Sequence, residues 1–598
     1  MILSELYMLY DRLLADSNYR VAPYGYSLQK ISFKIVLTSD GQLLEIQSEQ
    51  SQQNGQLKPR QILVPGVQKP SGSGLNPCFL WDNSAYVLGY KANYKNDKEK
   101  NRTACSFLAF RDRHLQFEAE IQSDAFSIVC RFLEGWDPDS PQATRHLASL
   151  SVKSINGFGV FQIQGDLQFV HETPPIKAWW DKRWEIHGPK WHLPASSAKS
   201  MDQCLITGKT ATIAQTHLKI KGVRGTKSVG ATIAGYNELA YESYGKKQSY
   251  NAPVSEEAAF RYVTALNALL DGPKRSKHRL ILADMTIAFW TDQPTVTEDI
   301  FLPFYTKGSA VVEDEAVQDE GLRKNLHTFL QALRKGGEAR EAYGDIEGSA
   351  LQTSFCMLGL APNAARIVVR FFLQGTLAEL LDNLRRHHHD ISLEPDGNYP
   401  EFPPAWQLLR QIALPKKEIH SPLTTPLLRA IISGSPYPQE LVSAVLRRLY
   451  AGASVDYLRA CVIKGYLNRN MNMDVSMNLD SDRTDPAYRL GRLFAALEKT
   501  QKDALGQSLN KTIRDSYYGA ASSTPVIVFP RLLRTYQHHL GKLDGGVRIN
   551  REKLVQEIMA PLRSFPAHLG LPDQGLFAIG YYHQTRDFYK KRERVQEG

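Results

Sequence analysis

Six cysteines in 598 residues, all far apart, set the first limit on this chain. Cys78, Cys105, Cys130, Cys204, Cys356 and Cys461 form no Cys-x-x-Cys pair. That pattern argues against a disulfide framework and reads as reduced thiols of a cytosolic protein. No apolar run reaches the ~18 residues of a membrane-spanning helix. The opening MILSELYMLYDRLLADS is amphipathic and carries acids, unlike the basic-then-apolar pattern of a secretory leader. A soluble, cytoplasmic protein with no membrane partner is the expectation. Internal repeats of roughly 20–50 residues are absent, as is a Gly-x-Ser-x-Gly nucleophile elbow.

A catalytic or metal constellation is missing as well. The nearest metal set joins Cys204 and His217 with His187 or His192. Structural zinc uses paired ligands at short spacing, and these are single and distant, so satisfied core or surface residues are the simpler reading. RRHHHD at 385–390 holds His387 and Asp390, a pair of the kind metal-dependent phosphohydrolases use. No second His-plus-carboxylate set accompanies it, and His and Arg at a helix end also complement the helix dipole. Glu238, Glu242, Glu256 and Glu257 are candidate paired acids, but the last two are explained as helix-start carboxylates. None of these sets makes a metal, cofactor or catalytic site evident, and a Ser/His/Asp arrangement assembled by the fold stays open.

One stretch imitates a nucleotide site. HLKIKGVRGTKSVGATIAGYN at 217–237 contains GTKS. A phosphate loop needs Gly, four residues, then Gly-Lys-Ser/Thr, with the Lys directly after the second Gly. Here Thr226 separates Gly225 from Lys227, and Gly222 to Gly225 is too short a span. What remains is a flexible basic loop with Lys219, Lys221, Arg224 and Lys227 among glycines. It is either a solvated surface loop or a clamp on a polyanion, in which glycine allows close backbone approach and the cations neutralise phosphates.

The composition is that of a globular protein, with 42% hydrophobic and 22% charged residues and room for two to four domains. Net charge is +10, which favours an anionic partner. The excess is uneven: residues 421–598 hold about 25 Lys and Arg against about 16 Asp and Glu.

Periodicity gives the elements. A helix is expected over 3–14, capped by Ser4, with Leu6, Leu9, Tyr10, Leu13 and Leu14 as one stripe. Ile31, Phe33 and Ile35 alternate with polar residues before Asp40-Gly41 and a return through Leu43 and Ile46, which predicts a hairpin. KPRQILVPGVQKPSGSGLNP, with Lys58, Arg60 and Lys69, predicts a long exposed loop. YVLGYKANYKNDKEKNR reads as a strand end entering a second basic loop, followed by short strands to about Phe169. Trp179, Trp180, Trp184 and Trp191 crowd one segment. They form either a packing knot between domains or a base-stacking platform. A helix is expected from Ser255 to near Gly272, with Ala259, Tyr262, Val263 and Leu266 on its buried face. RLILADMTIAFW predicts a strand, 307–348 a charged helix-prone segment, and SFCMLGLAPNAARIVVRFFLQGTLAELLDNL strand, turn, strand and helix. From about Leu423 the pattern is nearly all helical. The fold class is α+β: a mixed α/β N-terminal and central region with a C-terminal helical bundle.

Basic residues interleaved with aromatics mark the last third. Lys511, Arg514, Tyr517 and Tyr518 form one group, and Arg531, Arg534, Tyr536 and Lys542 a second. The tail holds Tyr581, Tyr582, Arg586, Tyr589, Lys590, Lys591, Arg592 and Arg594. Such mixtures suit a single-stranded nucleic acid, with rings on bases and cations on phosphates. A solvated helical face with a basic tail is the other reading.

CLITGKTATIAQTHLKIKGVRGTKSVGATIAGYNELAYESYGKKQSYNAPVSEEAAFRY resembles the central signature of the type I-C CRISPR large subunit, and so do LGLAPNAARIVVRFF, YLRACVIKGYLNR and AYRLGRLFAALEKTQKDAL followed by NKTIRDSYYGAASSTPVIVFPRLLRTYQHHLGKL. The resemblance runs in order along nearly the whole chain. It implies a non-catalytic subunit of a Cascade surveillance complex, with backbone subunits and crRNA as partners. Such a subunit reads the protospacer-adjacent motif (PAM) in target double-stranded DNA and helps open the duplex. It supports the displaced strand and presents a surface to a transient helicase-nuclease, while guide pairing reads sequence. On this reading 1–200 is the domain with PAM-sensing loops, 201–420 the central α/β region with the glycine-basic loop, and 421–598 the bundle resembling the small subunit.

The resemblance also assigns roles. Lys58, Arg60, Asn76, Lys91, Asn93 and Lys95 are the expected PAM and duplex set. Lys219, Lys221, Arg224 and Lys227 are the phosphate-holding set. Lys511, Arg514, Arg531, Arg534, Lys590 and Lys591 would follow the displaced strand. The competing readings are an RNA-processing nuclease or cytosolic hydrolase using His217 or the His387–Asp390 cluster, and a scaffold without PAM discrimination. Relatives make the small subunit from an internal start, for which Met471, Met473 and Met477 are candidates. Intact-mass analysis of the native complex should then show a second product starting at one of them, and a spectrum with full-length chain alone removes the idea.

Overall fold

The computed structural model of the chain describes residues 2–53, 56–67, 74–148, 157–191, 200–236, 238–282, 284–294, 352–364, 366–394, 399, 403–412, 422–506 and 511–589. The expected segment at 307–348 lies outside them, as do Lys69, His192, Lys590, Lys591, Arg592 and Arg594. The chain forms two compact units, one of 3–219 with 234–268 and the other of 220–233 with 269–598.

The first unit is built on β1 (Tyr26–Leu37), the longest strand of a six-stranded sheet ordered β3-β4-β1-β6-β5, with β2 also on β1. Its residues Ile31, Phe33, Ile35 and Leu37 are buried. β2 (Leu43–Ser48) returns antiparallel through the turn expected at Asp40-Gly41. Gly41 has φ +89, and a Cβ there would stand 2.8 Å from Arg131 Cβ, so only glycine suits the turn. β3 (Gln50–Gln53) pairs with β4 (Gln56–Pro65), and β4 pairs antiparallel with β1. β6 (Phe158–Ile163) lies parallel to β1, with short β5 (Trp81–Asn83) beyond it.

Two expectations fail here. The long loop from Lys58 is a strand as far as Pro65, because Ile62 and Val64 alternate into a core with Ile31, Trp81 and Val160, and that burial outweighs the two prolines. The short strands expected before Phe169 are instead α2 (Ser84–Val87), α3 (Asp97–Leu115), α4 (Asp124–Gly135) and α5 (Pro141–Ala148), ahead of β6. In α3 the Asn96 side chain accepts from Glu99 N, and Phe107, Phe110 and His114 recur at helical spacing and are buried.

The helix α1 (Ile2–Ala15) begins earlier than expected, so Ser4 lies inside it and is no cap, and Leu14 is exposed while Leu6, Leu9, Tyr10 and Leu13 are buried. The tryptophans pack inside the core of the first unit, so the expected knot between domains is corrected to a knot within one. On α6 (Pro174–His187) Trp180 stacks on Phe79 at 5.0 Å, and Trp184 and Trp191 lie 5.4 and 5.3 Å from it. β7 (Met201–Gln203), β8 (Thr210–Thr212) and the expected helix α7 (Glu256–Asp271) follow.

The second unit pairs a four-stranded antiparallel sheet with helices. The expected single strand at RLILADMTIAFW folds back on itself after the short α8 (Arg275–His278), giving β9 (Arg279–Leu282) and β10 (Met285–Thr291). β11 (Ser354–Asn363), β12 (Arg366–Thr376) and α9 (Leu377–Ile391) match the expectation. Thr376 and Glu379 start α9 as a reciprocal cap. Then come α10 (Ala405–Arg410), α11 (Thr424–Ser433), α12 (Gln439–Tyr450), α13 (Tyr457–Met471), α14 (Pro486–Leu505), α15 (Ile513–Ser523), α16 (Pro525–Leu540), α17 (Gly545–Met559) and α18 (Leu571–Tyr589). One core runs from Phe289 and Met357 on the sheet to Leu493 and Phe577 in the helices. The fold class is α+β, as expected.

α14 and α18 pack closely. A Cβ on Gly491 would lie 2.0 Å from the Phe577 carbonyl oxygen, and one on Gly580 2.1 Å from that of Tyr488. Backbone therefore meets backbone, and polar pairs flank the contact. Tyr488 Oη lies 2.9 Å from His583 Nδ1. Arg492 Nε donates to Gln584 Oε1 at 3.0 Å, and the Tyr581 hydroxyl donates to Glu498 Oε2 at 2.6 Å.

Gly491→Ala and Gly580→Ala should each lower stability by about 1–3 kcal/mol or more through overpacking, although alanine is the better helix former. Gly519→Ala, whose nearest neighbour would be the Tyr450 ring at 3.7 Å, should leave stability level or slightly raised. Urea unfolding of the three variants checks this.

Candidate nucleic-acid interface

The N-terminal candidates sit at two places on the first unit. Lys58 and Arg60 are exposed on β4. They share the strand face of buried Ile62 and Val64, because side chains alternate. Arg60 pairs with Ile31, Ile31 with Phe158, and Phe158 with Asn83, so Arg60 and Asn83 stand level, three strand spacings or about 14 Å apart. Arg60 also reaches Glu49 at 3.5 Å.

Asn76 and the 91–95 loop are both held by α3. Arg113 Nη1 donates to Pro77 O at 2.9 Å, and Arg102 Nη2 to Gly74 O at 3.5 Å, which fixes the segment carrying exposed Asn76. One helical turn before Arg102, Glu99 forms an ion pair with Lys91 and accepts from Lys95 N at 2.8 Å. The bond from Lys91, then that from Lys95, holds the Glu99 carboxyl below its ordinary range. Asn93 and Lys95 remain exposed, while Lys91 is partly covered.

The glycine-basic loop is anchored at its base and along its length. Ile220 and Ala231 exchange two backbone bonds of 2.8 and 3.0 Å, closing the loop at its base. Arg224 N donates to Thr286 Oγ1 at 2.9 Å on β10, and Ile367 N on β12 to Thr232 O at 2.9 Å. Gly222, at φ +79, has the Leu270 carbonyl oxygen 2.5 Å from where its Cβ would be, and Gly225, at φ +83, has Pro362 Cγ at 3.0 Å. These glycines serve packing and turn conformation. At Gly222 and Gly225 the atoms approached are the protein's own. Arg224 and Lys227 are exposed and Lys221 is half-buried. Lys219 falls in the first unit, exposed, its carbonyl accepting from Asn267 Nδ2 at 3.1 Å.

In the second unit Lys511 is exposed just before Thr512, the cap of α15. Arg514 is half-buried, donates to Ala453 O and lies 6.0 Å from the Tyr581 ring. Arg531, Arg534, His538 and Lys542 are exposed, and their spacing of three, four and four places them along one face of α16 and its C-terminal turn. His538 was not foreseen; its spacing from Arg534 was the available signal. The tyrosines do not follow the expectation. Tyr518, Tyr536, Tyr581 and Tyr582 are buried, so core packing takes the rings expected to stack on bases. Tyr517 is half-buried, 5.6 Å from the Arg531 guanidinium, and Tyr589 is exposed.

The histidine sites dissolve into the core. His217 is buried, 2.7 Å by Nδ1 from Tyr262 Oη, and burial lowers its pKa to about 4. His387 Nδ1 meets Tyr437 Oη at 2.5 Å. Asp390 accepts from Arg469 Nε at 2.6 Å as a buried ion pair. Burial, then His388 and Arg469 nearby, holds His387 well below its usual value. Cys204 is buried and accepts from Ser255 N at 3.3 Å. Burial pushes its thiol up, but bonds from Ser255 and Thr207 bring it to about 7. Among the described residues no group of three or more His, Cys, Asp or Glu is placed to hold a metal ion. Nor is any helix among them long and apolar enough to cross a membrane.

Burial gives the first unit an acid-sensitive core. It holds His114, His171 and His217 at about 4 each, against an ordinary 6.5. Their folded values are depressed, so the unfolded chain binds more protons between those limits. Stability present above 6.5 is therefore lost as pH falls towards 4. Urea midpoints should drop across that window, and His217→Gln should remove roughly one proton from the slope.

A family model described as CRISPR-associated protein (Cas_Csd1) matches residues 6–589. No curated protein matches the chain.

Proposed function

The chain belongs to the CRISPR-associated Cas_Csd1 family, and from that premise we propose that it is the large subunit of a type I-C Cascade complex. It works beside backbone subunits and crRNA. It recognises the PAM in target duplex DNA, promotes R-loop formation, supports the displaced strand and helps to recruit a helicase-nuclease. In this reading it carries out no chemical step itself. The family match along nearly the whole chain carries the proposal. Supporting it, exposed Lys58, Arg60, Asn76, Asn93 and Lys95 stand on anchored segments of the first unit, and a cationic stripe lies on α16 of the second. The first set is proposed to meet the PAM duplex and the stripe the displaced strand. Lys219 in the first unit, and Lys221, Arg224 and Lys227 in the second, are each proposed to contact phosphate through their side chains.

A small subunit from an internal start belongs to the same proposal. Met471 ends α13, and Met473 and Met477 precede α14. A product from Met477 keeps α14 to α18 and loses α13, whose Ile463 and Leu467 approach Gly575 of α18. It would therefore uncover an apolar strip that a neighbouring subunit must cover.

The test is equilibrium binding of the assembled guide complex, with and without this chain, to guide-matched duplexes differing only in the PAM. Discrimination should appear only when the chain is present. Lys58→Ala and Arg60→Ala should weaken all duplexes about equally and lower the salt slope by about one each, whereas Asn76→Ala or Asn93→Ala should relax PAM choice by about 1–3 kcal/mol. Binding that ignores the PAM, or is the same without the chain, overturns the proposal.

A further inference from the structure

A cavity of about 170 Å³ opens between the C-terminal end of α12 and the first turns of α15. Tyr450, Arg514, Asp515, Ser516 and Tyr518 line it. Tyr518 is only 4% exposed, and its buried hydroxyl has no hydrogen-bond partner among the described residues. A buried hydroxyl left unmade is costly, and a polar ligand or water in this cavity would relieve that cost.

The other polar groups are fixed before any ligand arrives. Arg514 is tied to the Ala453 carbonyl and faces the Tyr581 ring. Asp515 Oδ2 accepts from Thr512 N at 2.7 Å in the cap of α15, which leaves its other oxygen outside that bond. The Tyr450 hydroxyl donates to Gln574 Oε1 at 2.6 Å, which pins its ring at the mouth. Gly519 adds no side chain beside that ring. Ser516 is exposed.

These groups select a ligand class. Arg514 attracts a free phosphate but Asp515 beside it repels it, so the pair favours no simple anion, and an apolar molecule would leave the unmade hydroxyl unanswered. A guanidinium seeks acceptors and a carboxylate seeks donors. A planar heterocycle with acceptors on one edge and donors on the other satisfies both. Guanine is such a base: O6 and N7 accept, and its N2 amino group donates. The volume is close to the roughly 150 Å³ of a cavity that takes up benzene, the size class of one aromatic ring. The geometry points to a pocket for one unpaired nucleobase, guanine by its edge chemistry. This inference rests on the proposal that the helical last third follows a displaced strand. The α16 stripe supports it, because Arg531 meets Tyr517 on α15, the helix that lines the cavity.

Fluorescence anisotropy of the full-length chain tests it, with a short thymidine oligomer and the same oligomer carrying one central guanosine. The guanosine oligomer should bind about tenfold more tightly. Tyr518→Phe, which keeps the ring, and Ser516→Ala, at an exposed position, should each reduce that preference while leaving the thymidine oligomer unchanged. If Tyr518→Phe disturbs folding, Ser516→Ala still gives the readout. Equal affinity for the two oligomers overturns the pocket and leaves the strand reading standing. A preference that survives both substitutions also overturns it. Binding to neither oligomer removes the pocket and the strand reading together.

Discussion

The second unit depends on the close backbone approach of α14 and α18, where Gly491 lies against the Phe577 carbonyl and Gly580 against that of Tyr488. Side chains at either position would force the helices apart by more than the surrounding core can absorb. Their closeness lets Arg492 reach Gln584 on α18 and Glu557 on α17 at 3.0 Å each. It also lets Tyr581 reach Glu498, which in turn accepts from Thr512 at the start of α15. Two glycines thus bring a polar network into register, and that network positions the helix carrying Arg514.

The same region shows why a charge count is a poor map of a surface. Residues 421–598 carry the largest basic excess of the chain, yet Lys464, Arg469, Arg489 and Arg492 are buried within it. Each has acceptors: Ser392 O for Lys464, Asp390 for Arg469, Ser481 O for Arg489 and Glu557 for Arg492. Buried cations fix helices against one another and are closed to a polyanion. The exposed row on α16 is a smaller and more ordered set than the composition suggests.

Much of the fold was legible in the sequence. The β1–β2 hairpin, the β11–β12 pair with α9, and the helical last third follow from periodicity and turn residues, because there local preference and burial agree. Where they disagree the reading went astray. β4 looks like a loop because it is rich in proline and lysine, and its pairing with β1 is a tertiary decision. The helix α3 has few apolar residues and is recognisable mainly by its Asn96 cap. The tyrosines of the last third were misplaced because an aromatic beside an arginine looks the same in sequence whether it faces water or core. The glycine loop shows a related ambiguity: glycines that permit close approach look the same in sequence whether the nearby atoms belong to a ligand or, as at Gly222 and Gly225, to Leu270 and Pro362 of the protein itself.

The parallel pairing of β1 with β6 bears on the order in which the molecule is made. Phe33 of β1 faces Gly159 of β6, whose missing Cβ leaves room for the Phe33 ring. More than a hundred residues leave the ribosome between these two partners. Until then one edge of the central strand has no ladder to close it. The first unit needs residues up to 268, and the second already includes 220–233. Neither unit is a continuous stretch of chain, so neither is complete when the other begins. During synthesis the N-terminal helices must therefore wait, half-assembled, for strands that arrive late, and the growing chain carries an open sheet edge through that interval.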